Sequence, residues 1–441
     1  MTLLGLGPTG SVRDGPGRPA MSERPLSSFH LVLAAGGALL LIGLIMVFSA
    51  TSVDSLQEQG SVYASFTNQV VFATVGLAAF AVAVRMRPTM LRRMALPAML
   101  IAVVLLVLVL IPGVGMEYNQ ARRWFEIGPL SMQPSELAKL AFVLWGADLL
   151  VRKRKLIDQW RHLLVPLVPA GLLLAALVLL QPNLGTAIVF LLILFSLLWS
   201  VGAPARLFVT MGFAVVAVVT VIIYAEPYRA ARLTGFLDPF ADPDGATLQA
   251  ANGLYALATG GWWGVGLGNS RMKWGLLPEQ DSDFIFAIIG EELGFAGCLL
   301  VLALYGLLAY AGIRIARRTS DQFIRLAAAA ITVWLIGQAL INAGYVVGLL
   351  PITGLPLPLI SSGGTSLILT MFAVGVLASF ARHEPAAVAY LKRRRRSRWA
   401  RLFAPVPRSA SSEVRRSSAS RPSSRGPARP PARIVAARSR R

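Results

Sequence analysis

One cysteine occurs in 441 residues, so no intramolecular disulfide can form and a cysteine-based metal cluster is excluded. Cys298 lies in an apolar run and reads as a small packing residue. The three histidines (His30, His162, His383) are dispersed, which removes a zinc-ligand set. There is no P-loop and no nucleophile elbow, which argues against ATP-driven chemistry. Charge is also scarce. Asp, Glu, Lys and Arg make up 14% of the chain, against about 25% in soluble domains. Acids are the rarer sign, with 21 Asp+Glu against 42 Lys+Arg.

What the chain has in excess is apolar sequence: 55% of its residues are hydrophobic and its mean hydropathy is +0.64. The net charge of +21 suggests nucleic acid or an anionic surface, but its placement says otherwise. Residues 392–441 carry 17 Lys+Arg and one acid, Glu413, a net of +16. Residues 1–29 add +1, which leaves +4 for 30–391. The tail is rich in Ser, Pro, Ala and Arg and is expected to be disordered. A soluble nucleic-acid binder of this composition would expose too much apolar surface, so nucleic acid is not expected as a partner.

Ten apolar stretches follow one another, near 31–50, 70–84, 95–112, 137–151, 163–180, 184–202, 207–224, 284–313, 326–347 and 365–381. Only helices satisfy their own backbone in lipid, so the expected fold is all-α, a polytopic membrane protein with about ten transmembrane helices. The loops 85–93, 152–161 and 314–325 are Lys/Arg-rich, while 51–69 and 346–362 have no base. Ten crossings and this bias agree, and place both termini in the cytoplasm. The expected organisation is a cytoplasmic segment 1–29, a membrane domain 30–385 with a long, ordered extracytoplasmic loop at 226–283, and a basic cytoplasmic tail 386–441. No A-x-A-like site follows the first stretch, which reads as an uncleaved anchor. Met21 is an alternative start.

Four polar clusters fall in the base-poor half. The first is Arg122-Arg123-Trp124-Phe125 with Gln133-Pro134-Ser135-Glu136 and Lys139. Glu136 and Lys139 are i, i+3 neighbours that can pair in the membrane; a structural ion pair and a phosphate site are both open readings. The second, Gln181-Pro182-Asn183-Leu184-Gly185, reads as a tight turn between spans. The third runs from Gly264 through Ser270, Lys273, Glu279 and Asp283 to Glu291-Glu292. Asp283 stands where water meets the bilayer. It is either a helix cap or a carboxylate poised for general-base use. Glu291 and Glu292 are equally readable as buried structural groups. The fourth runs from Asn342 through Pro351-Ile-Thr353-Gly354-Leu-Pro356-Leu-Pro358 to Ser361 and Ser366. Irregular backbone at membrane depth is tolerated only under protein or beside a wet cavity, so this segment is expected to be re-entrant.

Together these motifs resemble the SEDS family (shape, elongation, division and sporulation) of bacterial peptidoglycan polymerases, over about residues 30–385. The run Ala287-Ile-Ile-Gly290-Glu291-Glu292-Leu-Gly294 looks more like the division branch than the elongation branch. Some positions depart from the family pattern. Asn183 stands where many members carry Asp, Ser362 replaces a common Tyr, and Asn252-Gly253 replaces a frequent Gln-Ser pair, while Gln249 is kept.

The resemblance implies β-1,4 joining of lipid II disaccharides outside the cytoplasmic membrane, with undecaprenyl pyrophosphate leaving, in septal wall synthesis. It implies Asp283 as the catalytic base. Arg122, Arg123, Lys139, Lys273, Gln249, Glu136, Ser361 and Ser366 are the candidates for substrate and pyrophosphate binding. Glu279, Glu291, Glu292 and Asn342 are supporting residues. A Mg²⁺ or Mn²⁺ ion could assist, with its ligands unknown. The implied partners are lipid II, a class B penicillin-binding protein and other division proteins, at the septal cytoplasmic membrane. A lipid II flippase and a non-catalytic division scaffold are the alternatives.

The tail is open to two readings. It binds anionic lipids, at about 1 kcal/mol per basic residue near the surface, or an acidic cytoplasmic division protein; or it is only a solvated segment that reinforces topology. Recruitment by the tail predicts that deleting 392–441 lowers midcell occupancy of a fluorescent fusion, and unchanged localisation would reject it.

Overall fold

The structure is a computed structural model that describes residues 25–118, 121–127, 130–153, 165–213, 236, 238–241 and 247–393. The expectations for segment 1–24, the basic tail from 394 onward and much of 214–246 lie outside the described residues.

The described chain is a helical bundle. Its helices are α1 (Ser27–Gln59), α2 (Ala64–Arg85), α3 (Pro88–Leu108), α4 (Pro134–Arg152), α5 (Leu167–Leu179), α6 (Leu184–Val201), α7 (Leu248–Gly260), α8 (Ile285–Arg318), α9 (Gln322–Val346), α10 (Gly364–Ala381) and α11 (Pro385–Arg393). Among the described residues, seven of these are long and apolar enough to cross a membrane: α1, α2, α3, α6, α8, α9 and α10. Two more expected stretches coincide with α4, which carries Glu136, Lys139, Asp148 and Arg152, and with the shorter apolar α5. The stretch near 207–224 is helical over 205–213 and then leaves the described residues. The chain is therefore a multispanning helical membrane protein.

Between α3 and α4 the sequence reading anticipated no strands. The structure has a small antiparallel sheet of order β1-β2-β3, made of β1 (Met116–Tyr118), β2 (Ala121–Ile127) and β3 (Leu130–Met132). β2, Ala121-Arg-Arg-Trp-Phe-Glu-Ile127, does not alternate apolar and polar residues and so carries no strand signal; in the fold it pairs with β1 and β3 and buries Ala121 and Phe125 on one face.

Sequence chemistry sets the helix ends. Pro88 and Pro134 open α3 and α4, where the missing N–H costs nothing. Asn183 caps α6 by accepting from the Thr186 amide at 3.1 Å, and Asp321 caps α9 through Phe323 and Ile324. Small residues let the helices approach, as expected where lipid supplies no hydrophobic drive between them. A Cβ on Gly43 of α1 would fall 2.6 Å from the Ile360 backbone, and one on Gly375 of α10 would fall 2.8 Å from Ala83 of α2.

At the basic end, Asp148 pairs with Arg92 and Arg152, both at 2.7 Å, tying α3 to α4. The Arg92 guanidinium also lies over the Phe323 ring of α9.

Two breaks in regular structure shape the opposite end. The first is the 351–363 segment between α9 and α10, which is irregular and largely buried, as the sequence led one to expect. Tyr305 of α8 and Gln338 of α9 donate to its Pro358 and Pro356 carbonyls. The second lies inside α8 at Gly294, whose φ of 69° and ψ of −168° interrupt the helix. The segment after α7 fills the gap. Val265 and Gly266 amides donate to the Glu291 and Glu292 carbonyls at 2.9 and 3.0 Å. In return, the amides of Phe295 and Ala296 donate to the Gly261 and Trp262 carbonyls at 2.8 and 3.2 Å. Gly264 makes this approach possible: its φ is +80°, and a Cβ there would sit 2.1 Å from the Glu292 carbonyl oxygen.

Gly264→Ala should therefore lower stability by ~2 kcal/mol or more, through the left-handed backbone and the clash. Gly37→Ala, in a helix with open space around it, should be neutral or stabilising by up to ~1 kcal/mol. Thermal unfolding of the two purified variants in detergent compares them.

Candidate active site

The third and fourth polar clusters converge on one turn. Residues 281–284 lead into α8, and Asp283 is partly exposed there. The Asp283 carbonyl accepts from the Asn342 side-chain amide at 2.8 Å and from the Tyr345 hydroxyl at 2.7 Å. Asn342 also donates to the Leu355 carbonyl at 2.7 Å. One fully buried amide on α9 thus joins the catalytic-candidate turn to the irregular segment. Ser361 adds a second tie by donating to the Ser282 carbonyl at 2.6 Å and accepting from the Leu357 amide at 2.7 Å. Ser362 supplies a third, from its hydroxyl to the Asp281 carboxylate at 2.6 Å. Each tie places one partner on 281–283 and the other on α9 or 355–362, so the Asp283 backbone is fixed from two sides.

The Asp283 side chain faces Gly354. That glycine has φ +67°, and a Cβ built on it would come within 3.3 Å of the Asp283 carboxylate. Glycine therefore leaves the carboxylate room on this side. Gly185 in the second cluster packs on the neighbouring residue, where a Cβ would lie 2.6 Å from the Thr353 carbonyl oxygen. The Gln181–Gly185 turn is thus a structural wall of the same end, and its Asn183 serves as a helix cap. Arg123 of β2 grips that turn by donating to the Gln181 carbonyl at 2.8 Å and to the Pro182 carbonyl. Arg122 points elsewhere, to Glu117 at 2.8 Å, and is about one-third exposed.

Glu136 and Lys139 occupy a dry position. They pair at 2.8 Å with side-chain exposures of 2% and 0%. The Lys139 ammonium also donates to Gln338 at 3.0 Å and lies 5.2 Å from the Trp334 ring centre. In this structure Lys139 presents no surface to a pyrophosphate; its donors hold α4 to α9. Gln338 passes the connection on by donating to the Pro356 carbonyl at 2.8 Å.

Lys273, also buried, donates to the Gly268 carbonyl. Glu291 and Glu292 are fully buried. Glu291 accepts from the Ser270 hydroxyl and from the Arg271 amide at 2.9 Å. Glu292 accepts from Ser49 of α1 at 2.6 and 2.8 Å. These two acids pin the 264–273 segment against α1 and α8 and lie away from open surface. Glu279 is exposed at the turn with φ 56° and accepts from Ser282 at 3.0 Å. Gln249 is half-buried on α7, and Ser366 is buried in the first turn of α10.

Tyr345, Gln338, Gln280 and Asp54 escaped sequence reasoning. Gln280 donates to Asp54 at 2.8 Å and to the Ala50 carbonyl at 3.2 Å, tying the 270–280 segment to α1. Tyr345 sits one turn beyond Asn342 on the same face, and that spacing was the one local signal available.

A helical membrane protein with a partly exposed carboxylate, fixed at one end of its bundle by a buried amide and hydroxyls, fits an enzyme acting on a lipid-linked substrate. Comparison with known proteins narrows that class. A family model described as "Cell cycle protein", covering FtsW, RodA and SpoVE, matches residues 29–386. The chain belongs to this family. It is 45% identical over 402 residues to the probable peptidoglycan glycosyltransferase FtsW of Mycobacterium tuberculosis, covering 90% of this chain and 77% of that one. It is 40% identical to stage V sporulation protein E of Bacillus subtilis, covering 82% of this chain and 100% of that one. A chain from a solved peptidoglycan synthase complex coordinating polymerization and crosslinking aligns with TM-score 0.67 and 30% identity, covering 80% and 97% of the two chains. The Thermus thermophilus rod shape determining protein RodA aligns with TM-score 0.57 and 28% identity, covering 80% and 96%.

The buried pair gives a stability test. Lys139→Met leaves Glu136 uncompensated and should cost about 3–5 kcal/mol, whereas Lys139→Met with Glu136→Leu should recover most of that loss. Thermal unfolding of the single and double variants measures the difference.

Proposed function

We propose that the chain is a peptidoglycan glycosyltransferase that joins lipid II disaccharides by β-1,4 bonds at the outer face of the cytoplasmic membrane during septal wall synthesis. The observation that carries the proposal is the fixed, partly exposed carboxylate of Asp283, in a chain 45% identical to a protein named as such an enzyme. Asp283 takes the proton of the acceptor 4-hydroxyl as that oxygen attacks the anomeric carbon of the donor. The bond to undecaprenyl pyrophosphate breaks on the opposite face, and one displacement converts an α-linked donor into a β-linked product.

The pyrophosphate needs cations where its charge develops. Arg122 is more accessible than the buried Lys139 and Lys273: about one-third of its side chain is exposed, and its guanidinium bonds the exposed Glu117. Arg123 acts more through the Gln181–Pro182 turn it holds, and Lys139 through the α4–α9 contact.

A Mg²⁺ or Mn²⁺ ion would find one carboxylate at Asp283. Among the described residues no group of three or more His, Cys, Asp or Glu could hold a metal ion. Such an ion would therefore depend on the pyrophosphate for further oxygen ligands and would supply charge neutralisation there.

The solved relative in a synthase complex supports a class B penicillin-binding protein as partner. Both termini are assigned to the cytoplasm on the strength of the basic loops. No observation favours the flippase or scaffold readings.

Purified chain with lipid II, in the absence of a transmembrane gradient, should yield polymeric glycan. Asp283→Ala should lower the rate by about 10²–10⁴-fold, the range of a general base, while its thermal unfolding stays near that of the parent. Translocation without polymer would overturn the enzyme, and polymer at the parental rate from Asp283→Ala would remove Asp283 as the base. In the same assay, a chelator that slows polymerisation, with recovery on adding Mg²⁺ or Mn²⁺, would support the metal; an unchanged rate would reject it.

A further inference from the structure

The segment after α7 exposes large apolar side chains in quantity. Trp262 is 72% exposed and Trp263 is 85% exposed, with Val265 and Leu267 beside them. None of these residues has been given a task by the chemistry above.

Their depth can be read from α8. The break at Gly294 divides this helix, and the part from Phe295 to Arg318 has 24 residues, about 36 Å at 1.5 Å per residue, enough to cross the ~30 Å hydrocarbon core by itself. Side-chain exposure shows which part of α8 faces lipid. Residues 285–292 are buried in protein. From Phe295 onward one face opens: Phe295, Leu299, Leu302, Gly306, Tyr310 and Ile313 are all exposed and recur every three or four residues. This stripe spans 19 residues, from Phe295 to Ile313, about 27 Å along the axis, and ends just before Arg317 and Arg318, which are exposed. Its length matches the hydrocarbon core, so Phe295 lies at the boundary opposite the basic end. The Trp262 ring packs edge-on against Phe295, with centroids 5.2 Å apart. The main chain at 261–262 bonds to Phe295 and Ala296, which fixes this height.

We infer that Trp262 and Trp263 are an interfacial anchor that inserts into the lipid leaflet opposite the basic loops, holding the 261–268 segment at the hydrocarbon–headgroup boundary. The occupant of this patch is phospholipid. Continuity with the lipid-facing stripe of α8 supports that choice over a protein partner. Tryptophan suits the position, because its ring buries apolar area while its N–H meets the polar zone. The backbone of 261–266 can lie at this depth because the polar groups that face α8 are paired with it. The anchor also fixes the height of Ser270 and Lys273, which follow on the segment that Glu291 and Glu292 pin.

The test uses the full chain in vesicles of 3:1 phosphatidylethanolamine and phosphatidylglycerol. A nitroxide is placed at Trp263→Cys in a Cys298→Ala background, and its collisions with oxygen and with a water-soluble nickel chelate are compared. Leu299→Cys provides the lipid reference and Glu58→Cys, on an exposed site, the water reference. The expected result is high oxygen and low nickel access at 263, between the references and nearer the lipid one. Nickel access equal to that at 58 would overturn the anchor. So would access that falls only when a class B penicillin-binding protein is added, which would mark a protein-docking surface. A second measurement needs no label: quenching of the parental tryptophan fluorescence by phospholipids brominated near the carboxyl end of the acyl chain. The Trp262→Phe, Trp263→Phe double variant should lose part of the quenched fraction, and an unchanged fraction would count against insertion.

Discussion

Every backbone N–H and C=O at membrane depth must find a partner within the protein, and the architecture of the active end follows from that constraint. An uninterrupted helix meets it alone. This chain interrupts regular structure twice and pairs the released groups with neighbouring segments. At 351–363, the side chains of Gln338, Asn342, Tyr305 and Ser361 take up main-chain groups that no helix ladder satisfies. At Gly294, a neighbouring stretch of main chain exchanges four hydrogen bonds with α8. Both repairs use residues distant in sequence, so each also fixes the relative position of two helices. The catalytic candidate lies beside the first repair and the lipid-facing tryptophans lie at the second.

The polar residues of this end divide by burial. Those sealed inside (Glu136, Lys139, Glu291, Glu292, Asn342) have their groups turned to neighbouring helices and loops. Breaking such a pair costs several kcal/mol, because the remaining charge is left unsolvated. Those near solvent (Asp283, Arg122, Glu279) are partly or fully exposed. The basic end shows the same economy with a different purpose: Asp148 is shared between Arg92 and Arg152 to join two helices where headgroups begin.

Much of this was legible in the residues. Nine of the ten apolar stretches correspond to described helices, and the tenth begins as one. The Pro/Gly-interrupted run at 351–363 announced irregular backbone, and Asn183 announced a cap. The three-stranded sheet was not legible, because β1 and β3 have three residues each and β2 does not alternate apolar and polar residues. The separation of Arg122 from Arg123 was not legible either. Adjacent residues on a strand point to opposite faces, so one guanidinium meets Glu117 and the other the Gln181 carbonyl. Lys139 was open in the sequence to an ion pair or a phosphate site, and its i, i+3 spacing already offered Glu136 as a partner. Its contacts with Gln338 and Trp334 on α9 are visible only in space.

Scarcity of charge and cysteine, the length of the apolar runs and the placement of the basic loops determined by themselves that this chain is a helical membrane protein whose polar chemistry gathers at one end. These properties depend on local composition and on the thickness of a bilayer, and both can be read along a line. Only the tertiary structure decided which polar residues face each other. The Asp283 turn is held by Asn342 and Tyr345 from some sixty positions away, and the gap in α8 is closed by residues about thirty positions earlier. Hydrogen bonds and burial act over a few ångströms, and sequence distance carries no information about that range until the helices have packed.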